Sequence, residues 1–150
     1  MKTFVEPLEA LHGFCDVIKK IENEKGLCSI TGCIDAQKPH MINAFCAFSK
    51  RKKNKLIVTF HEQRAKELYE EYLFFDANAV YYPAKDVLFY QSDIRANVLT
   101  AERIKALKAI HENEQVTVIT TFDALMNTQA PPQKIWDSVL HFVQGQELLL

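Results

Sequence analysis

Two short apolar runs, "LIVTF" (Leu56 to Phe60) and "VTVIT" (Val116 to Thr120), restrict the folds open to this chain more than any other feature. Each has the length of a strand, and "LIVTF" is continuous rather than alternating, the pattern of a strand covered on both faces in a parallel sheet. Parallel strands cannot be joined by a tight turn, so helices must lie between them.

The intervening sequence supplies those helices. From Pro7, residues Leu8, Leu11, Phe14, Cys15, Ile18 and Ile21 recur at three and four, which predicts one helix ended by "NEKG". "LCSIT" (27–31) then reads as a short strand. Met41, Ile42, Phe45 and Phe48 mark a second helix running to "SKRKKNK". Ala65, Leu68, Tyr69, Tyr72 and Leu73 carry a third, and "DANAVYYP" leads through a short strand to Pro83. "DVLFY" is a further strand candidate. Thr100 is placed to cap a helix with Ile104, Leu107 and Ile110 on one face. After "VTVIT" come a short "FDALMN" helix, the turn "TQAPPQ" and an apolar "SVLHFV" strand. Alternating strands and helices imply an α/β fold, a mostly parallel sheet with helices on both faces. At 150 residues and 48% apolar content, one domain over 1–150 is expected.

A net charge of −1 gives no overall basic field to gather nucleic acid. No run of about 18 apolar residues could span a membrane, and the N-terminus lacks the apolar length of a secretory signal, so a cytoplasmic location is expected. Cys15, Cys28, Cys33 and Cys46 form no C-x-x-C pair and read as reduced thiols in or near the core. The five histidines lie far apart, with no ligand pair at three or four residues. "SKRKKNK" packs five basic residues into seven positions, and a helix C-terminus favours such charge on a solvated face.

Ligands of parallel sheets bind at the carboxyl ends of strands, which directs attention to the loop after "LCSIT". A working P-loop reads G-x-x-x-x-G-K-[ST]. Here Gly32 and Lys38 stand at the required spacing, but Gln37 replaces the second glycine and Pro39 the hydroxyl residue. Gln37 brings a side chain into the space where backbone should wrap the phosphates. Pro39 removes both the magnesium ligand and a main-chain donor, while suiting the first turn of a helix. Asp35 adds a negative charge where another would have to bind. The turn survives and the triphosphate chemistry does not; a plain anion could still use Lys38 and the helix N-terminus. A match of this kind also arises by accident. No cofactor, metal or catalytic residue is expected. In "SDIRANVLTAERIK", Arg95, outside the regular helix, and Arg103 are candidates for interdomain or partner contacts.

The run "YYPAKDVLFYQSDIRANVLTAERIKALKAI", followed by "VTVITTFDALMN" and preceded by "ITGCIDAQKPHMINAF", resembles the N-terminal region of bacterial transcription-repair coupling factors, the Mfd family, over nearly the whole chain. The resemblance implies a helicase or RecA-like fold similar to the first domain of UvrB, with a degenerate P-loop. It further implies a parent protein that finds RNA polymerase stalled on damaged DNA, displaces it with ATP-driven translocase domains and recruits UvrA. The motor and the polymerase-binding module are similar to segments far downstream. On this comparison the chain is a fragment ending about where the family passes into the small UvrA-binding domain. Its expected role is a non-catalytic scaffold in nucleotide excision repair. The alternatives are the nucleotide-binding domain of an active ATPase or helicase, and an unrelated flavodoxin-like domain.

Overall fold

A computed structural model describes residues 4–23, 27–50, 54–85, 93–113 and 115–140, without the side chains of 93–97. Three strands, β1 (Lys55–Thr59), β2 (Ala79–Tyr82) and β3 (Thr117–Thr121), form a parallel sheet in the order β1-β3-β2. The expected α/β class with a parallel sheet is what the chain adopts. Register runs Leu56 beside Val118 beside Val80, so β3 is paired along both edges.

Six helices surround the sheet among the described residues: α1 (Phe14–Asn23), α2 (Lys38–Phe48), α3 (Glu62–Leu73), α4 (Asp93–Glu112), α5 (Phe122–Met126) and α6 (Pro132–Asp137). Side chains alternate across a strand, and this sorts the core into two layers. Ile57, Ala79, Tyr81 and Ile119 face Ala65, Leu68 and Tyr72 of α3, with Ile42 of α2 beside them. Val80, Tyr82 and Val118 face Ala106 of α4 and Ala124 of α5. A third cluster joins α1 to α2, where the Phe14 ring stacks on Phe45 at 5.2 Å and meets Phe48 edge-on at 5.6 Å.

Several expectations are corrected. The helix read from Pro7 is two pieces, a 3-10 turn over Glu6–Ala10 and then α1, because Gly13 takes φ +81, a left-handed conformation that ends one helix and starts another. Residues 27–31 are irregular and outside the sheet, with Leu27 92% and Ile30 44% exposed. β1 is an edge strand rather than one buried on both faces. Ile57 is half-buried under α3, whereas Leu56 and Val58 on the other face are exposed, because the core cluster on that face joins α4 and α5 to β2 and β3 and includes no residue of β1. α4 begins at Asp93, so Thr100 is inside it and not its cap, and so is Arg95. Among its described side chains α4 buries Arg103 and Ala106, while Ile104 stays exposed. α6 replaces part of the expected turn; its Trp136 ring stacks on His111 near the end of α4 at 4.5 Å. Residues 138–140 are not a strand, and the remainder of "SVLHFV", like all of "DVLFY", lies outside the described residues.

At the amino ends of the strands Asp76 ties three elements together. Its carboxylate accepts from the Thr117 hydroxyl at 2.7 Å, the Asn78 N–H at 3.0 Å and the Lys55 ammonium at 3.3 Å. Burial works to raise its pKa, but these hydrogen bonds and the Lys55 charge outweigh it and hold the carboxyl below the usual range. A folded-state pKa below the unfolded one contributes stability above the unfolded value of about 4, lost as pH falls through the folded value. Urea unfolding should therefore show stability declining as the pH drops below about 4. Asp76→Asn should flatten part of that decline and cost about 1–3 kcal/mol at neutral pH.

Candidate functional site

The loop singled out by its spacing leads into α2. Gly32 has φ +86, which a side chain would strain, and Asp35–Gln37 form a 3-10 turn closed by the Gln37 N–H on the Ile34 carbonyl at 3.0 Å. Gln37 is exposed just before α2, and Pro39 is buried in its first turn, where a missing N–H costs nothing. The Lys38 ammonium donates to the Asp35 carboxylate at 2.6 Å. That hydrogen bond and the charge behind it, helped by Arg64, hold the Asp35 carboxyl below its usual value. The cation a phosphate would need is already engaged by a carboxylate of the same loop. No strand leads into the loop to aim it, since 27–31 stays off the sheet.

Beside this loop, at the carboxyl end and free edge of β1, lies a cavity of roughly 370 Å³. Ile42, Ile57 and Leu68 give it an apolar floor, and Asp35, Lys38 and Arg64 form its charged rim. Arg64 is paired with Glu67 and Glu71 on its own helix, both at 3.3 Å, and donates to the Asp35 carbonyl at 3.5 Å. The hydrogen bond to Glu71 leads the effects that raise its pKa. The rim is thus charge-compensated. Its one histidine, His61, precedes α3, and its main-chain carbonyl accepts from the Thr59 hydroxyl at 3.2 Å. Burial pushes the Cys46 thiol up, away from the reactive thiolate.

The carboxyl ends of β2 and β3, where a parallel sheet usually receives its ligand, are filled by the protein's own side chains. Glu62, the first residue of α3, accepts from the Tyr81 hydroxyl, from the Ala84 N–H at 3.3 Å and from the Thr121 hydroxyl at 3.3 Å. Burial first, then the bond to Glu62, pushes the Tyr81 hydroxyl far above the usual phenol range. On the opposite face Arg103, only 3% exposed, lies over the Tyr82 ring at 4.1 Å and donates to the Pro83 carbonyl at 2.5 Å and to the Tyr82 hydroxyl. Burial lowers its pKa from that of a free guanidinium, yet it remains a cation. Read from the sequence as a contact for partners, Arg103 has its guanidinium committed inside the domain. The side chain of Arg95 lies outside the described residues.

Sequence reasoning missed Glu62 and Arg64. The available signal was an acidic residue directly after a strand and at a helix start, "TFHEQR", where a carboxylate meets the positive end of the helix dipole. Among the described residues no group of three or more His, Cys, Asp or Glu is placed to hold a metal ion, and no helix is long and apolar enough to cross a membrane. Fold and site define an α/β domain with a three-stranded parallel sheet whose strand ends are closed by Glu62 and Arg103. No protein-family model, curated protein or solved structure matches the chain.

Removing the Glu62 acceptor strands the Tyr81 hydroxyl and the Ala84 N–H together. Glu62→Ala should lower unfolding stability in urea by about 1–3 kcal/mol, whereas Glu67→Ala, on the exposed face of the same helix, should change it by less than about 1 kcal/mol.

Proposed function

We propose that this chain is a non-catalytic scaffold module, the UvrB-like N-terminal region of a transcription-repair coupling factor, with a helicase or RecA-like ancestry whose nucleotide site is disabled. The reading rests on the resemblance of "ITGCIDAQKPHMINAF", "YPAKDVLFY" and "VTVITTFDALM" to that family. The single observation that supports its non-catalytic part is the Lys38–Asp35 pair in a loop that has Gln37 and Pro39 where a nucleotide site needs glycine and a hydroxyl. Glu62 and Arg103 at the strand ends agree with it, since groups committed to holding the sheet closed are not free to hold a triphosphate.

In this proposal the module supports the adjoining domain through which the parent protein recruits UvrA, and helps restrain the other domains of that parent. RNA polymerase and DNA are engaged by parent domains beyond these residues, and the parent, an ATP-dependent DNA translocase, works in the cytoplasm. The competing reading is a nucleotide-binding domain of an active ATPase or helicase. Titration with a fluorescent ATP analogue and magnesium separates the two. The scaffold reading expects no saturation below about 1 mM, whereas a Kd of about 1–10 μM would overturn it in favour of the ATPase.

A further inference from the structure

Among the described residues β1 ends the sheet on one side. Its Lys55 N–H bonds the Val116 carbonyl at 2.8 Å, so Lys55, Ile57 and Thr59 turn their main-chain groups toward β3. Leu56 and Val58 therefore point their N–H and C=O groups outward along the free edge. Lys55, at the start of β1, turns its ammonium inward to Asp76, but from Leu56 to Thr59 the edge has neither proline nor bulge nor charge, and Leu56 and Val58 are 57% and 44% exposed. Alongside it runs the apolar-floored cavity, walled by α2 on the α3 side of the sheet.

The residues just before α2 match this edge in chemistry and in position. "LCSIT" (27–31) has strand composition and no strand to pair with. Asp35, four residues beyond Thr31, already lines the cavity beside Thr59, so 27–31 can reach along β1 in the parallel sense within about 3.3 Å per residue. The hand of the crossover also agrees. From β1 the chain passes over the α3 face to β2; a strand that passes over the same face through α2 to reach β1 keeps that hand only if it lies at β1's free edge. Gly32, at φ +86 with open space around it, provides the turning point.

We propose that residues 27–31 are a strap that closes onto the free edge of β1 as a fourth parallel strand, with Cys28 and Ile30 entering the cavity over Ile42, Ile57 and Leu68. Open, the strap leaves an edge able to receive an extended strand from a partner; closed, it covers that edge. The device is independent of the scaffold reading. Amide exchange followed by NMR on the 150-residue chain tests it. The Leu56 and Val58 amides should be protected together with alternate amides of 28–31. Ile30→Asp, which changes a residue outside the folded core, should reduce Leu56 and Val58 protection about tenfold or more while leaving Ile57 and Thr59 unchanged. Exchange of the Leu56 and Val58 amides at unstructured rates in the unmodified chain overturns the strap, as does protection that Ile30→Asp does not alter. Protection that grows with concentration alongside a dimer in sedimentation also overturns it, assigning the edge to a second copy.

Discussion

Everything in this domain depends on the burial of β3. Its residues Thr117 to Thr121 are all buried, with strands paired on both edges and helices on both faces. Three of those five residues are threonines, and a buried hydroxyl without a partner is costly. Each therefore has one. Thr117 donates to Asp76, Thr120 to the Tyr82 carbonyl at 2.7 Å, and Thr121 donates to Glu62 while accepting from the Ala124 N–H to start α5. The central strand is thus held by hydrophobic cover and by side-chain bonds that reach the start of β1, the end of β2 and the first residue of α3. Satisfied networks of this kind fix a unique arrangement, because slipping the register by one residue would turn every hydroxyl to the wrong layer.

The sequence made the strands "LIVTF", "AVYY" and "VTVIT" legible because continuous apolar runs between helical patterns have few other uses. It made α2 and α3 legible for the same reason, through periodicity. What it could not carry was coverage. Nothing local to "LIVTF" says that α4 will lie over β2 and β3 and leave Leu56 bare, since that depends on strand order. Nor does "LCSIT" announce that its strand propensity goes unused in this arrangement. Gly13 was the visible clue to the split N-terminal helix, yet the apolar stripe that continued past it outweighed the break. Arg103 shows the limit most clearly. Its charge suggested a surface role, while its partners, Tyr82 and Pro83, lie about twenty residues earlier and meet it only in the folded chain.

The candidate loop was legible in its letters and not in its setting. Gln37 and Pro39 could be read as losses from a phosphate cradle, and Asp35 as an unwelcome charge. That Asp35 would be the partner of Lys38 itself follows from the tight turn that brings residues three apart together at the start of a helix. The result is a loop closed upon itself by opposite charges. Exposed pairs of that sort add little to stability, so its significance lies in what it occupies rather than in what it holds up.

α6 adds a feature of practical use. The chain has a single tryptophan, and its ring rests on His111 of α4 with the indole nitrogen out of solvent. Tryptophan emission, excited apart from the five tyrosines, consequently reports on one joint, the seating of the six-residue α6 against α4. A fluorescence melt would follow the loosening of that small helix, and the stability of the central layers has to be read by a probe that sees the backbone.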